Sequence, residues 1–370
     1  MATGTEIEVR RVAVARRREP RTTGSLRARR EIEVRRVAVA RRREPRTTGS
    51  LRARRVGFAI LRPFLVFIPV FLFGTFITFL LGTLSGLNPA YVQLGDAATP
   101  AAVARLNHQY GLDRPFIVQY WNWFTDLLHG SLGQSWVDGI SVSTLIGQRI
   151  GISLSVAVLA LIIGVVVGAI LGTLAALFRA SWLDRTVTAV TSVMASMPPF
   201  TVGVILVAVF AVQFKILPSA GYVSLHQGFS IWFSHIILPA IALSFDMITG
   251  VARQLRAGLV TTYGQNYITG AIVHGLSPRR IFFTHVLRNG GGPALAYVGL
   301  TFPTLLGGAV VTESIFGLAG YGVFASTSAL HGDVPSVEGV LVVSIVIVVG
   351  FNLLINIALN RIDPAAKRGV

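Results

Sequence analysis

Residues 150–178 read IGISLSVAVLALIIGVVVGAILGTLAALF, twenty-nine consecutive residues without an Asp, Glu, Lys or Arg. About 20 apolar residues in a helix cross the roughly 30 Å hydrocarbon core of a bilayer, so this run is a membrane span. Five runs of the same kind flank it, at 58–84, 187–214, 231–251, 293–316 and 337–359. The first follows a basic flank and is too long for the apolar core of a signal peptide, so it reads as a retained span. The expected fold class is therefore all-α: a polytopic membrane protein with six transmembrane helices.

The charge balance looks at odds with this until it is placed along the chain. The 370 residues carry +17 in total, with 52% hydrophobic residues and 13% charged ones, and the mean hydropathy is +0.65. Residues 1–55 hold 18 Arg and 6 Glu, or +12. Residues 56–370 hold 15 Lys or Arg against 10 Asp or Glu, and this body is too poor in charge for a soluble domain, where about 25% of residues are charged. A soluble enzyme with a basic surface is excluded for the body. With no cysteine in the chain, disulfides, Cys-ligated metals and a Cys nucleophile are excluded too.

The tail is a tandem repeat. Residues 6–30, EIEVRRVAVARRREPRTTGSLRARR, recur letter for letter at 31–55. Solenoid repeats diverge and carry a core pattern; this unit does neither. It reads as a recent duplication or an artefact of gene assignment, in an arm expected to be disordered. The functional alternative is an Arg-rich arm on anionic headgroups, worth about 1 kcal/mol per Arg near the surface. Nucleic-acid binding is disfavoured, because no aromatic residue is interleaved to stack on bases.

Lys and Arg in the loops set the orientation. The tail, Arg179, Arg185, Arg253, Arg256, Arg279, Arg280, Arg288, Arg361, Lys367 and Arg368 fall on one side; Arg105, Arg114 and Lys215 fall on the other. The first side reads as cytoplasmic, with both termini inside. Three regions result: the tail 1–55, a first helix and external loop domain at 56–149, and a five-helix core at 150–370. The external loop opens a helix at Thr99-Pro100, an N-cap followed by proline at the first helical position. Its aromatics Phe116, Tyr120, Trp121, Trp123 and Phe124 suit interfacial anchoring, with a docking ledge for an external partner as the alternative.

The segment 253–290 is far longer than an ordinary interhelical connection. Tyr267, Ile268, Ala271, Ile272, Gly275 and Leu276 recur at helical spacing and form an expected apolar face, with Gln265, Thr269 and His274 toward the other side. Gly275 closes that helix. Ser277 caps the next, with Pro278 at its first position and Arg279 to Asn289 continuing it. Gly290, Gly291 and Gly292 are expected to end it. On periodicity alone, a helix lying on lipid remains open.

Several stretches carry a resemblance. They include Ala252-Arg253-Gln254-Leu255-Arg256, Tyr263 to Ile268, Gly275-Leu276-Ser277, Leu287-Arg288-Asn289, Tyr110-Gly111-Leu112-Asp113-Arg114-Pro115, Ser181-Trp182-Leu183-Asp184-Arg185, Leu217 to Tyr222 and Glu313 to Gly322. In order and spacing these resemble bacterial ABC-importer permeases of the dipeptide, oligopeptide and nickel group, in particular the first permease of the pair. The likeness runs from about 58 to 368. It implies a type I importer core whose loop helix, with Tyr267, Ile268, Ala271, Ile272, Gly275, Leu276 and Ser277, docks in a cleft of a cytoplasmic ATPase. It also implies a second homologous permease chain, two ATPase subunits and an external substrate-binding protein. Where the family often has an acid at 266 and basic residues near 269, 272 and 274, this chain has Asn266, Thr269, Ile272 and His274, so the usual ionic contacts are in question while the shape argument stands.

The chain has no G-x-x-x-x-G-K-[ST] loop, so ATP and Mg are expected on partner subunits and no cofactor on this chain. Its seven histidines do not cluster, and no metal site is expected. Ionisable residues inside spans are functional-site candidates by default. Asp246 and Glu313 are therefore candidate translocation-path residues. Asp246 either meets a substrate ammonium or pairs with a neighbouring helix or a second permease. Asn352 and Asn356, one turn apart, are path candidates as well, though interhelical hydrogen bonding suits them better. The reading is an inner-membrane permease subunit that moves peptides inward by alternating access. A nickel or other small-solute importer is the alternative, and a stand-alone channel or secondary transporter is the more distant one.

Overall fold

The computed structural model describes residues 68–362. The Arg-rich tail with its duplicated unit, the first ten residues of the 58–84 run, and Asp363, Pro364, Lys367 and Arg368 lie outside the described residues. All regular structure among those described is helical, apart from one isolated bridge between Gln134 and Ser141. We number the helices α1 (Ile68–Leu84), α2 (Pro89–Leu94), α3 (Pro100–Tyr110), α4 (Phe116–Leu128), α5 (Val142–Leu177), α6 (Trp182–Ser196), α7 (Pro199–Leu206), α8 (Phe229–Tyr263), α9 (Asn266–Val273), α10 (278–290), α11 (Gly292–Ile315), α12 (Tyr321–Leu330) and α13 (Val334–Ile362).

Four of these, α5, α8, α11 and α13, are long and apolar enough to cross a membrane. Two bent pairs bring the number to six if each counts as one span: α1 with residues 89–97, bent by 62°, and α6 with α7, bent by 99°. The second bend corrects the reading of 187–214 as one uninterrupted helix. Pro198 and Pro199 stand at the break. Neither offers an N–H, and each pushes its predecessor out of the helical region. Beyond α7 the chain widens into a π-helical turn at Val207–Gln213.

The core is built on α5 and α8, the most extensively packed helix pair. Along α5, Ala160, Gly164, Gly168, Gly172 and Ala176 recur every four residues on one face, and all five are buried. A Cβ on Gly168 would lie 2.8 Å from the Ile248 carbonyl oxygen, and one on Gly172 would lie 2.6 Å from that of Ala252. The two backbones thus touch, as small-residue stripes allow in a membrane, where close packing replaces the hydrophobic drive between helices. α11 packs on the other side of α8, and α13 closes on α11, where the Phe302 and Phe351 rings stack at 3.8 Å.

α8 runs to Tyr263, ten residues beyond the start of the segment expected to be a loop. Val251, Leu255, Leu259 and Thr262 stay buried at near-helical spacing, while Arg253 is exposed and Arg256 turns toward α6 from the same turns. The aromatics of α4 pack within the chain. Phe116 and Tyr120 pack edge to face with Phe76 and Phe79 of α1, and Tyr120 hydrogen-bonds the buried Thr75 hydroxyl at 3.0 Å. Trp121 alone among the large α4 rings stays well exposed. Thr99 caps α3 as expected, its hydroxyl accepting the Ala102 N–H.

Candidate functional site

At the end of the bundle that carries Arg253, Arg256, Arg279, Arg280 and Arg288, α9 and α10 fold back against α8 as a two-helix platform. The turn between them is defined atom by atom. The Leu276 N–H donates to the Ala271 carbonyl and the Gly275 N–H to the Ile272 carbonyl. This is the Schellman closure, which needs a left-handed residue after the cap; Gly275 supplies it at φ +74°. The same pair of bonds follows Gly111-Leu112 and Gly317-Leu318, so three Gly-Leu pairs in the quoted stretches share one physical origin. Ser277 then caps α10, its hydroxyl accepting the Arg280 N–H at 3.4 Å behind Pro278.

The apolar residues of α9 divide into two sets rather than forming the single face read from the sequence. Ile268 is 1% exposed and shares a buried cluster with Leu255, Leu259, Ile281 and Val286; Ala271 and Leu276 pack against that cluster. Tyr267 is 46% exposed, Ile272 60% and Val273 80%. The inner set fastens the platform to its own bundle, and the outer set, with Gly275 and Ser277, is exposed. Asn289 of α10 donates to the Tyr267 hydroxyl at 3.0 Å and ties the two helices together.

The three glycines at 290–292 do more than stop a helix. Gly290 is buried, and a Cβ there would lie 2.8 Å from the Gly258 carbonyl oxygen; a Cβ on Gly258 would overlap the Gly290 carbonyl. α8 and the end of α10 therefore meet backbone to backbone, with Gly291 as a brief break before α11.

A second contact holds this end together, and sequence reading missed it. Arg256 of α8 donates from Nε to Asp184 Oδ1 at 2.6 Å and from its terminal nitrogen to Oδ2 at 2.7 Å. Asp184 is buried and also accepts the Ala180 N–H at 3.0 Å, holding Ala180 at φ +63° in the turn from α5 to α6. The signal was present: the acid of Ser181–Arg185 and the base of Ala252–Arg256 sit at the same end of neighbouring spans.

The four path candidates do not converge. Asp246 is exposed on α8, and the Tyr297 hydroxyl of α11 donates to its carboxylate at 3.4 Å. Glu313 is buried at the opposite end of α11. It accepts from the Ser153 hydroxyl of α5 and from the Val323 N–H at 2.9 Å, while Ser153 accepts the Tyr321 N–H at 2.8 Å. It thus joins α5, α11 and the start of α12. Asn352 faces Gly299 of α11, whose missing side chain leaves room for its amide, and Asn356 is exposed. Glu338, not singled out from the sequence, is fully buried in α13, and neither carboxylate oxygen has a hydrogen-bond partner among the described residues. No group of three or more His, Asp or Glu suited to a metal ion occurs among the described residues.

Between α3 and α4, His108 hydrogen-bonds Asp113 at 2.7 Å across the Gly111-Leu112 closure. That hydrogen bond holds the Asp113 carboxyl below its ordinary range.

Four to six helices long and apolar enough to cross a membrane, joined at one end to a small two-helix platform, describe a polytopic membrane protein. The chain belongs to the family of binding-protein-dependent transport system inner membrane components, whose model matches residues 164–368, with the N-terminal model of the same systems matching 56–157. It is 36% identical over 294 residues to the probable peptide ABC transporter permease protein y4tP of Sinorhizobium fredii, covering 80% of this chain and 94% of that one. The oligopeptide transport system permease protein AppB of Bacillus subtilis is 31% identical over 82% of this chain and 98% of its own. The probable D,D-dipeptide transport system permease protein DdpB of Escherichia coli is 32% identical, covering 79% and 92%.

Proposed function

We propose that this chain is one of two permease subunits of an ATP-driven importer that moves di- or oligopeptides inward across the bacterial inner membrane by alternating access. The observation that carries the coupling half of this reading is the α9–α10 platform. It is fastened to α8 by Ile268 and the Gly258–Gly290 contact, and it leaves Tyr267, Ile272, Val273, Gly275 and Ser277 open. A separate ATPase, holding ATP and Mg, seats on that rim, and its closure moves the platform and α8 as one body. The peptide half rests on the relatives, three of which are described as peptide, oligopeptide or dipeptide permeases.

The remaining parts follow from the same reading. The basic end with both termini is cytoplasmic, consistent with the distribution of Lys and Arg. An external binding protein delivers substrate to the face bearing α2–α4 and α12. A second, homologous permease chain completes the path, with Asp246, Glu313, Asn352 and Asn356 as its candidate polar residues in this subunit. Hydrolysis takes place in the partner chains.

Purification of the complex from native membranes tests the assembly: an ATPase should co-purify, and substrate-loaded binding protein should stimulate its hydrolysis. Uptake of labelled dipeptides, tripeptides and longer peptides, set beside nickel, tests the cargo. Transport by this chain alone, or uptake of nickel without peptides, would overturn the proposal.

A further inference from the structure

A cavity of about 370 Å³ opens at the end of the bundle where α5 begins and α11 ends. Its walls come from three places: the 134–141 turn (Asp138), the first turns of α5 (Arg149), and α12 with its flanks (Phe324, Thr327, His331). The volume lies within the roughly 300–1,000 Å³ range of small-molecule sites.

The charges in this cavity are placed with care. Arg149 is the only Arg or Lys in its lining. Its guanidinium carbon lies 4.7 Å from the centre of the Phe324 ring, and one terminal nitrogen donates to the Leu145 carbonyl at 2.9 Å. A planar cation stacked on an aromatic face and pinned at one corner is held in orientation while its other N–H groups stay available. Two aspartates share the lining and differ in state. Asp333 is buried and saturated, accepting from the Ser135 hydroxyl at 2.6 Å, the Trp136 N–H at 2.9 Å and the Ser336 hydroxyl at 2.7 Å. Asp138 is fixed through its backbone, its N–H donating to the Ser135 oxygen at 2.9 Å, and its exposed carboxylate has no hydrogen-bond partner among the described residues. Asp333 thus builds the turn, and Asp138 presents a free carboxylate across the same cavity as a pre-oriented guanidinium.

We infer that this cavity is an outer subsite for a zwitterionic substrate, in which Arg149 takes the terminal carboxylate and Asp138 the terminal ammonium of a short peptide. The inference rests on the peptide-importer reading and adds to it the residues that meet the two peptide termini on this subunit. A carboxylate suits a guanidinium fork because two parallel N–H bonds fit its two oxygens. Phe324 and Val323 supply an apolar wall for a side chain. Glu313 and Ser153 hold the start of α12 from the far side, so the wall does not depend on the ligand.

The absence of cysteine from the chain makes the test direct. Thr327→Cys, on the cavity wall, gives this subunit a single thiol, used in the complete transporter with its partner subunits made cysteine-free. The readouts are its labelling rate with N-ethylmaleimide, with and without trialanine, and uptake of labelled trialanine into proteoliposomes. Trialanine at ten times its Kd should slow labelling roughly ten-fold, because about one site in eleven is then free. Its C-terminal amide should protect far less. Arg149→Gln should abolish protection and raise the KM for uptake about ten-fold, and Arg149→Lys should restore part of both, which separates recognition from misfolding. Asp138→Asn should weaken protection by trialanine and leave that by N-acetyl-trialanine unchanged.

Equal protection by peptide and amide, or protection that survives Arg149→Gln, overturns the subsite. So does uptake of trialanine without any protection of the thiol, and in that case the peptide reading stands. Failure to take up trialanine while other labelled peptides are carried overturns the subsite and leaves the peptide reading standing; failure to take up any of the labelled peptides removes both.

Discussion

Gly275 offers a way to separate the folding of the platform from its docking. It sits at φ +74°, and a Cβ added there meets nothing within 4 Å. Any L-residue at this position therefore pays the left-handed backbone penalty, about 1–2 kcal/mol, and its Cβ meets no steric penalty inside this chain. Alanine and tryptophan should consequently destabilise the isolated subunit by the same amount, read as equal shifts in thermal unfolding in detergent. They should differ only where a partner covers the turn. Tryptophan places a large ring on the rim beside Ile272 and Val273, and a cleft shaped for glycine must open or release it. Uptake and ATP hydrolysis measured in one proteoliposome preparation then report coupling. Gly275→Ala should keep the two linked, whereas Gly275→Trp should cut uptake per ATP more than about ten-fold, equivalent to at least 1.4 kcal/mol of lost docking. Wild-type uptake by the tryptophan variant would refute docking at this turn. Equal uncoupling by alanine would show that backbone geometry, not contact, is what matters.

Three further outcomes are expected. Arg256→Ala should destabilise the subunit by about 2–3 kcal/mol, below the full cost of orphaning a buried charge because the Arg256 side chain is 37% exposed against 6% for Asp184; thermal unfolding checks this, and Arg256→Lys should recover only part, since it cannot make both bonds. Gly258→Ala should force α8 away from Gly290 and cost at least about 1–3 kcal/mol, with loss of coupling at retained binding of the ATPase in pull-down; unchanged unfolding would show that the two backbones do not meet. Asp246→Asn should leave stability within about 0.5 kcal/mol, as befits an exposed position, and raise the KM for uptake; an unchanged KM and rate would take Asp246 out of the path.

The long apolar runs were legible because hydropathy over 20 residues leaves little choice of structure. Caps were legible for the same local reason, and Thr99 and Ser277 accept the bonds their positions call for. What escaped was set by neighbours distant in sequence. The end of α8 was read as loop because Arg253 and Arg256 lowered its hydropathy, although Val251, Leu255 and Leu259 kept the four-residue step of one buried face. The division of α9 depends on Leu255, Leu259 and Val286 arriving beneath Ile268, and no local period reports that. Glu313 looked like a path residue because an acid in a span is rare. Its partners, Ser153 and the Val323 N–H, come from a helix 160 residues earlier and a turn ten residues later. The glycine stripe of α5 and the paired prolines of the α6–α7 bend were readable and carried more of the architecture than their plain spacing suggested.

The placement of these contacts says how a force on the platform would travel. α8 is continuous for 35 residues, from Phe229 at the far end to Tyr263 at the platform. At the platform end it is fixed three ways: to α10 by Gly258 and Gly290, to α6 by Arg256 and Asp184, and to α9 through the cluster around Ile268. Along its middle it packs closely on the α5 glycines, with the Met247 and Val251 side chains seated against Gly164 and Gly168 and the Ile248 and Ala252 carbonyls against Gly168 and Gly172. At the far end, α5 is tied instead to α11 and α12 through Ser153 and Glu313. Under the proposed coupling, a push on Tyr267, Ile272 and Val273 would reach α8 and α6 together and pass to α5 and α11, which both pack on α8, while Ser153 and Glu313 tie α5, α11 and α12 at the far end. The α5–α8 seam lies along the path of that push and away from the platform's own attachments. Substituting its glycines should therefore slow transport more than it weakens attachment of the platform.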